Sequence, residues 1–404
     1  MVLFLHNRYR TTGGEERTVE DLMWLVREHL HEPAELLARD SGAVGRAGAA
    51  LGLLRGGLQP RDVARAVRLS GARIVHAHNL HPAFGWRALA AARSAGARVV
   101  LHLHQYRIVC AIGVCFTRGA ECTRCHARDT LPGVRLNCRG SLPEAAAYGA
   151  ALALWQRRLV EQADALIVPS EFARARLRTL GAPLPWDRVH VLAPPLRALS
   201  TLSSHEPPRS RMSAGSPSGV EPCAPGVESY ASGVEPDAFG AKPYALVASR
   251  LAPEKGVDVA IAACRLAGIA LVVAGEGPEL PVLRELAGDG EVHFTGRVDA
   301  AELDGLRARA SVALVPSRSA ETFGMAAAEA MAGGLPVLAS RIGALPELLE
   351  DQSLVAPGDP RALAEAIRRI ASDPTAGRRG RERVRSLCAP DTVARGLVRV
   401  YGSA

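Results

Sequence analysis

Nowhere does the chain stay apolar for long enough to cross a bilayer. Its most membrane-like stretch, EAAAYGAALALW at 144–155, is about half of the ~20 residues a spanning helix requires. The opening MVLFLHNRYR has only a short apolar run before His6 and no small-residue cleavage site behind it. It does not read as a secretory signal, and a cytoplasmic location is expected. Aromatic residues make up only 4%, no basic block is interleaved with them, and no zinc-finger or RNP-like string occurs. The net charge of +8 and the pI near 9.3 come mostly from dispersed arginine, so no nucleic-acid partner is expected. That charge suits a phosphorylated substrate, and it is compatible with peripheral association at an anionic membrane face or with a freely soluble protein. A complete G-x-G-x-x-G fingerprint is also missing, which argues against a nicotinamide-dependent Rossmann enzyme.

What the chain does have is length and alternation. At 404 residues with 48% hydrophobic content it exceeds one typical domain and can bury a sizeable core, so two domains are expected. Short apolar runs recur between helical stretches: VLFLH, ELLA, RIVHAH, RVVLHLH, ALIVPS and VHVLAP, then YALVASR, IALVVAGEGP, VHFTG, SVALVPS, LPVLAS and SLVAPG. Runs of this kind read as strands covered on both faces, hence two parallel sheets with crossover helices. Between them a Ser-, Pro- and Gly-rich segment repeats SGVEP at 218–222 and 232–236, a composition that cannot bury enough apolar surface to order itself. The expected division is 1–199, a linker over 200–240, a second domain over 241–388 and a C-terminal helix over 389–404 that packs back toward the first domain. In such α/β sheets, ligands bind at the carboxyl ends of the strands.

The unusual residues sit at those ends. SRLAPEKGVD (249–258) places Arg250 and Lys255 in one short loop after a strand, a guanidinium and an ammonium suited to a diphosphate; alone they would be two solvated cations. AGEGPEL (274–280) carries Gly275 and Gly277 at another strand end, where missing side chains let a ligand ring approach the backbone. ETFGMAAAEAMAGG (321–334) opens a helix behind Glu321, Thr322, Phe323, Gly324 and Met325. Its first backbone N–H groups offer a site for phosphate oxygens. Glu321 and Glu329 can each accept hydrogen bonds from sugar hydroxyls. The plainer alternatives are a dipole partner for Glu321 and a solvated face for Glu329, although Glu329 stands among Ala and Met.

Glu321, seven residues and Glu329, with SRLAPEKG, AGEGPE and FTGRV (294–298) in that order, resemble the E-x7-E signature of family 4 retaining glycosyltransferases. The resemblance spans essentially the chain outside the linker and implies the GT-B fold, two Rossmann-like domains facing each other across a cleft that binds a nucleotide-sugar. It implies that Arg250 and Lys255 neutralise the diphosphate, that Glu329 holds the ribose, and that Glu321 with the Phe323, Gly324 and Met325 backbone contacts the transferred sugar. It further implies catalytic roles for Glu321, His104, Arg250 and Lys255, and transfer that needs no metal, in keeping with the lack of a D-x-D string after a strand. NRYRTTGGEE (7–16) resembles the family's glycine-rich loop, where Gly13 and Gly14 would approach phosphate or acceptor. LHLHQYR (101–107) resembles a strand end that reads His-Asp-Tyr-Arg in relatives, so His104 would face the donor sugar. Gln105 replaces the acid there, and Ala344 stands where relatives have a second glycine; Glu347 is retained.

Histidines and cysteines cluster as well. His76 and His78, and His102 and His104, alternate so that each pair shares a strand face; a four-histidine metal site and a row lining the sugar cleft both fit that spacing. Cys110, Cys115, Cys122, Cys125 and Cys138 fall within 110–138, and in a cytoplasmic chain such clustering favours a metal over disulfides. Cys110, Cys122, Cys125 and Cys138 are the expected ligands of a structural zinc, with reduced thiols and then redox chemistry as the alternatives. A sugar transferase is the leading reading. Another GT-B enzyme such as a nucleotide-sugar epimerase, and a non-catalytic sugar-nucleotide-binding protein, are the alternatives. Acceptor glycans, lipid-linked sugars and small molecules all remain open as partners.

Overall fold

The computed structural model describes residues 1–8, 14–200 and 242–402. Gly13 and all but Ser200 of the expected linker lie outside the described residues. The first half contains strands β1 (Val2–Arg8), β2 (Ala34–Asp40), β3 (Ile74–Ala77), β4 (Arg98–His102), β5 (Phe116–Thr117), β6 (Ala120–Glu121), β7 (Ala165–Val168) and β8 (Val189–Val191). Helices α1 (Gly14–His29), α2 (Gly45–Arg55), α3 (Pro60–Ser70), α4 (Gly85–Ser94), α5 (Leu131–Arg135), α6 (Leu142–Glu161) and α7 (Glu171–Thr179) connect them. Six of the strands form a sheet in the order β2-β1-β3-β4-β7-β8, and every pairing in it is parallel. β5 and β6 make a separate antiparallel hairpin.

The second half repeats the plan. Strands β9 (Tyr244–Ala248), β10 (Ala270–Ala274), β11 (Val292–Gly296), β12 (Val312–Val315), β13 (Val337–Ser340) and β14 (Leu354–Val355) pair in the order β11-β10-β9-β12-β13-β14, again all parallel. Helices α8 (Val257–Ala267), α9 (Leu280–Ala287), α10 (Ala300–Arg309), α11 (Met325–Ala332), α12 (Leu345–Leu348), α13 (Pro360–Ile370), α14 (Ala376–Cys388) and α15 (Pro390–Tyr401) pack around it. All twelve apolar runs singled out in the sequence are strands of these two sheets.

Alternation along the strands explains the two-sided burial. In the first sheet Leu3, Leu5, Val75, Val99 and Leu101 face one core, while Val2, Phe4, Val100 and Ile167 face the other. The second of these cores is completed from the far end of the chain: Val393, Leu397, Val400 and Tyr401 of α15 fill it together with Val19, Leu22 and Leu25 of α1. The membrane-like stretch at 144–155 lies in α6, where Ala145, Gly149 and Ala151 are buried and small side chains permit close packing on α2, α4 and α5. Among the described residues no helix is long and apolar enough to cross a membrane.

Strand order fixes where a ligand can sit. The order reverses between β9 and β12 in the second sheet and between β1 and β3 in the first, and the crevice outside the carboxyl ends at such a reversal is the usual ligand site of these folds. The loops that follow β9 and β12 span 249–255 and 316–324.

Candidate active site

One cavity of about 1780 Å³ lies between the two sheets. It is lined by Gly14, His104, Arg250, Lys255, Gly275, Gly277, Glu321, Phe323, Gly324, Met325 and Glu329, every described residue named above for donor binding or catalysis. Cleft-facing loops from both halves therefore meet in one space, although 307 positions separate Gly14 from Glu321 (321 − 14).

Lys255 closes the β9 loop and donates Nζ to Glu321 Oε1 at 2.7 Å, and Ser317 donates Oγ to the same oxygen at 2.8 Å. Burial alone would push the Glu321 carboxyl up, but the Lys255 ammonium and these two hydrogen bonds outweigh it and hold the group below the usual carboxylate range. Glu321 is thus an anion at neutral pH with one oxygen committed. Arg250 donates to Glu254, a buried carboxylate, and its side chain is otherwise half exposed to the cavity. Helix α11 starts at Met325 behind Gly324, whose φ of +103° favours glycine and where a Cβ would lie 2.6 Å from Leu345 Cδ2. Its alanines allow α11 to pack closely on α14.

Glu329 is held from both halves. Arg17 of α1 donates Nη1 to Oε1 at 2.8 Å across the cleft, and Arg307 of α10 donates to Oε2. Neither arginine was foreseen, because nothing local in the sequence ties residue 17 to residue 329. Nearby Asp21 is raised to about 6, by burial first and then by the Glu329 charge.

Other bonds join the halves around Glu321. Thr322 donates Oγ1 to His104 O at 2.8 Å, its own carbonyl accepts from Ser170 Oγ at 2.7 Å, and Tyr106 donates its hydroxyl to Ala320 O at 3.1 Å. Glu347 does not line the cavity; its carboxylate caps α7 by accepting from the backbone N–H groups of Glu171 and Phe172. The departure at Ala344 is also accommodated. Its φ is −82°, which any residue adopts, whereas Gly343 has φ +64° and its Cβ would meet Glu321 N at 2.4 Å. Gln105 donates to Glu15 at 3.3 Å and accepts from Arg107 at 3.2 Å. An acid at 105 would have faced the Glu15 carboxylate.

Three expectations need correction. Gly275 and Gly277 line the cavity, but what their missing side chains admit is protein backbone: a Cβ would lie 1.9 Å from Ser249 O and 2.1 Å from Leu251 O. The loop after β10 thus packs onto the loop carrying Arg250. Of the four histidines only His104 lines the large cavity. His76, His78 and His102 are buried below it as a stack, with ring centroids 4.5 Å apart for His76 and His78 and 4.2 Å for His102 and His104. His78 Nδ1 meets His104 Nε2 at 2.7 Å, and His76 meets Tyr401 OH at 2.8 Å. Among the described residues, His76, His78 and His102 are the one group whose candidate ligand atoms all lie within 4.8 Å of one another. Their rings lie near-parallel, with interplanar angles of 10–30°. Burial keeps all four imidazoles neutral, His76 down to about 3.

The cysteines form the third correction. All five of the 110–138 group border one small cavity, and no disulfide joins the described cysteines. Cys110 and Cys115, however, hydrogen-bond through their sulfurs, while Cys138 Sγ turns to Thr117 Oγ1 at 3.7 Å. Among the described residues no three sulfurs come within 4.8 Å of one another. Cys110, Cys122, Cys125 and Cys138 therefore do not fit a tetrahedral zinc site, and the hairpin β5–β6 with α5 supplies the local structure instead.

Comparison with known proteins agrees with this geometry. Residues 12–195 match a family model described as glycosyl transferase 4-like domain, and residues 242–373 match one described as glycosyl transferases group 1. Glycogen synthase of Mycobacterium tuberculosis is 40% identical over 172 residues, 39% of this chain and 41% of that protein. A GDP-mannose-dependent alpha-(1-6)-phosphatidylinositol dimannoside mannosyltransferase of the same organism is 42% identical over 137 residues, 32% and 36% of the two chains. The chain thus matches only about two fifths of the length of these relatives. Among solved structures, Anabaena Alr3699/HepE in complex with UDP and glucose superposes with a TM-score of 0.61 at 18% identity over 98% of both chains. Sucrose-phosphate synthase from Thermosynechococcus elongatus superposes at 0.63 with 19% identity over 99% of this chain and 98% of that one. The fold is GT-B, and the chain belongs to the group 1 glycosyltransferases, with a glycosyl transferase 4-like domain as its first half.

Proposed function

We propose that this glycosyltransferase moves a sugar, with retention of configuration, from a nucleotide-diphosphate sugar to an acceptor hydroxyl. The observation that carries the reading is the meeting of Arg250, Lys255, Glu321, the α11 N-terminus and Glu329 on one wall of a single cavity, with His104 on the opposite half. In this reading Arg250, Lys255 and the first N–H groups of α11 hold the diphosphate, Glu329 takes the ribose hydroxyls, and Glu321 orients the transferred sugar. Anabaena Alr3699/HepE has been solved in complex with UDP and with UDP-glucose, and a uridine donor is the first to try.

The residues also favour a route. Glu321 is engaged by Lys255 and Ser317, so it acts in positioning rather than as a free nucleophile. The bond from the anomeric carbon to the diphosphate oxygen breaks as the bond to the acceptor oxygen forms on the same face. The acceptor proton passes to the departing phosphate oxygen. Arg250 and Lys255 stabilise the charge that develops there, so the reading needs no divalent cation.

The test is donor binding: UDP-, GDP-, ADP- and dTDP-sugars are screened by thermal shift, with Arg250→Ala and Glu329→Ala alongside. A shift with one donor that both substitutions abolish supports the reading. Folded protein that shifts with none refutes it. Isomerisation of the donor in the absence of any acceptor would favour an epimerase instead.

A further inference from the structure

The cavity's other wall differs in chemistry from its donor wall. From the first half it is lined by Arg46 of α2, Arg107 after β4, Arg118 in the β5–β6 turn and Arg139 ahead of α6, and its carboxylates are Glu144 and, on α1, Glu15 and Glu20. Arg46 and Arg118 are exposed to this space and make no ion pair or side-chain hydrogen bond among the described residues. Arg139 is fixed in place: Nη1 donates to Ala111 O at 3.0 Å, Nη2 lies 3.5 Å from Glu144, and the guanidinium carbon sits 3.7 Å from the Tyr148 ring centroid. Its buried Nε has no partner. His81 shares the wall, but burial and, less strongly, Arg107 push it down to about 4, so it adds no charge at neutral pH.

Apolar surface lies beside these cations. Leu53, Val114 and Phe116 line the same wall. Next in sequence to lining residues, Leu54 on α2 and Leu142 at the start of α6 are exposed, at 49% and 57%.

An uncharged glycan would leave the Arg46 and Arg118 guanidiniums without a counter-charge. A phosphoryl group meets their planar fork with paired oxygens. We infer that the acceptor carries a phosphoryl group next to an apolar segment, its hydroxyl directed to the donor wall. This names the acceptor class of the site proposed above and rests on that reading.

The test isolates the acceptor wall. The full chain is saturated with the nucleotide its donor site selects, and octyl phosphate below its micelle concentration is titrated by calorimetry beside octyl glucoside and inorganic phosphate. Octyl phosphate should bind at least about tenfold more tightly than octyl glucoside. Arg46→Ala with Arg118→Ala should weaken it by about tenfold, with the nucleotide Kd and the Tm unchanged. Arg118→Lys should recover part of the loss. Inorganic phosphate binding as tightly as octyl phosphate overturns the apolar half of the inference and points to a soluble phosphorylated sugar. Equal binding of glucoside and phosphate, no binding of octyl phosphate, or an ineffective double substitution overturns it outright. If no nucleotide binds at all, the donor reading fails, and the same titration without nucleotide still decides the acceptor class.

Discussion

Arg17→Ala asks whether Glu329 is a recognition carboxylate held by protein cations until a donor arrives. Both of its oxygens are engaged, one by Arg17 across the cleft at 2.8 Å and the other by Arg307. Ribose hydroxyls that bind Glu329 must therefore displace one arginine or share its oxygen. Arg17 is the one to yield, since its side chain is 42% exposed and that of Arg307 only 11%. An ion pair with so exposed a partner is worth ~0.2–1 kcal/mol. Removing it should tighten donor binding by about 1.4–5-fold and cost the fold no more than ~1 kcal/mol. The assay is calorimetric titration of the nucleotide-sugar into wild type and variant, with urea melts of both. Donor binding weakened tenfold or more in Arg17→Ala would refute the reasoning, because Arg17 would then be a donor ligand and not a competitor. High salt should mimic part of the substitution in wild type and have less effect in the variant.

Three further outcomes follow from the same geometry. Glu321→Gln keeps an acceptor for Ser317 but removes the charge facing Lys255; it should lower turnover by ~100-fold with donor Kd within a few-fold, and a fall in Tm large enough to account for the lost activity would count against a catalytic role. His76, His78, His102 and His104 have folded pKa values below their unfolded ones, so the unfolded chain binds more protons as pH drops below about 6.5. Stability is full above that pH and falls by up to ~1.4 kcal/mol per pH unit for each such group. Urea midpoints between pH 7.5 and 5 should show the decline, a His102→Asn variant should show a shallower one, and a flat profile would contradict neutral buried imidazoles. Cys110 is pushed down to about 6 by the Cys115 hydrogen bond, whereas burial raises Cys125 to about 11 and Cys264 to about 12. Iodoacetamide at pH 7 followed by peptide mass spectrometry should mark Cys110 first, with the rate falling below pH 6; modification of Cys125 before Cys110 would refute this ordering.

Much of this architecture was legible because burial on both faces of a parallel strand leaves a run of apolar residues, and each such run in the sequence is a strand. The loops after β9 and β12 were legible for a related reason: a cation pair, or a Glu-Thr-Phe-Gly string, directly behind an apolar run has few structural uses. Long-range partners were not. Arg17 and Arg307 acquire meaning only when both halves close on Glu329, and no local spacing encodes that. Period two told correctly that the paired histidines share a face, but it carries no depth, so the three lying beneath His104 could not be told from cleft residues. Cys115 shows the same limit in the cysteine group. It stood outside the expected ligand set, yet in the fold it is the sulfur that Cys110 meets.

The contacts between the halves explain why Thr322, which no motif argument singled out for a role, matters to the site. Its hydroxyl binds the carbonyl of His104, its carbonyl binds Ser170, and its neighbours Glu321 and Phe323 belong to the donor wall. Any shift of one half against the other changes these bonds and moves Glu321 at the same time. Tyr106 on Ala320 ties the same loop to the first half, and Glu347 of α12 joins the halves at the start of α7. The position of Glu321 relative to His104 is therefore set by the closure of the two halves rather than by the β12 loop alone, which couples the geometry of the donor wall to how firmly the cleft is shut.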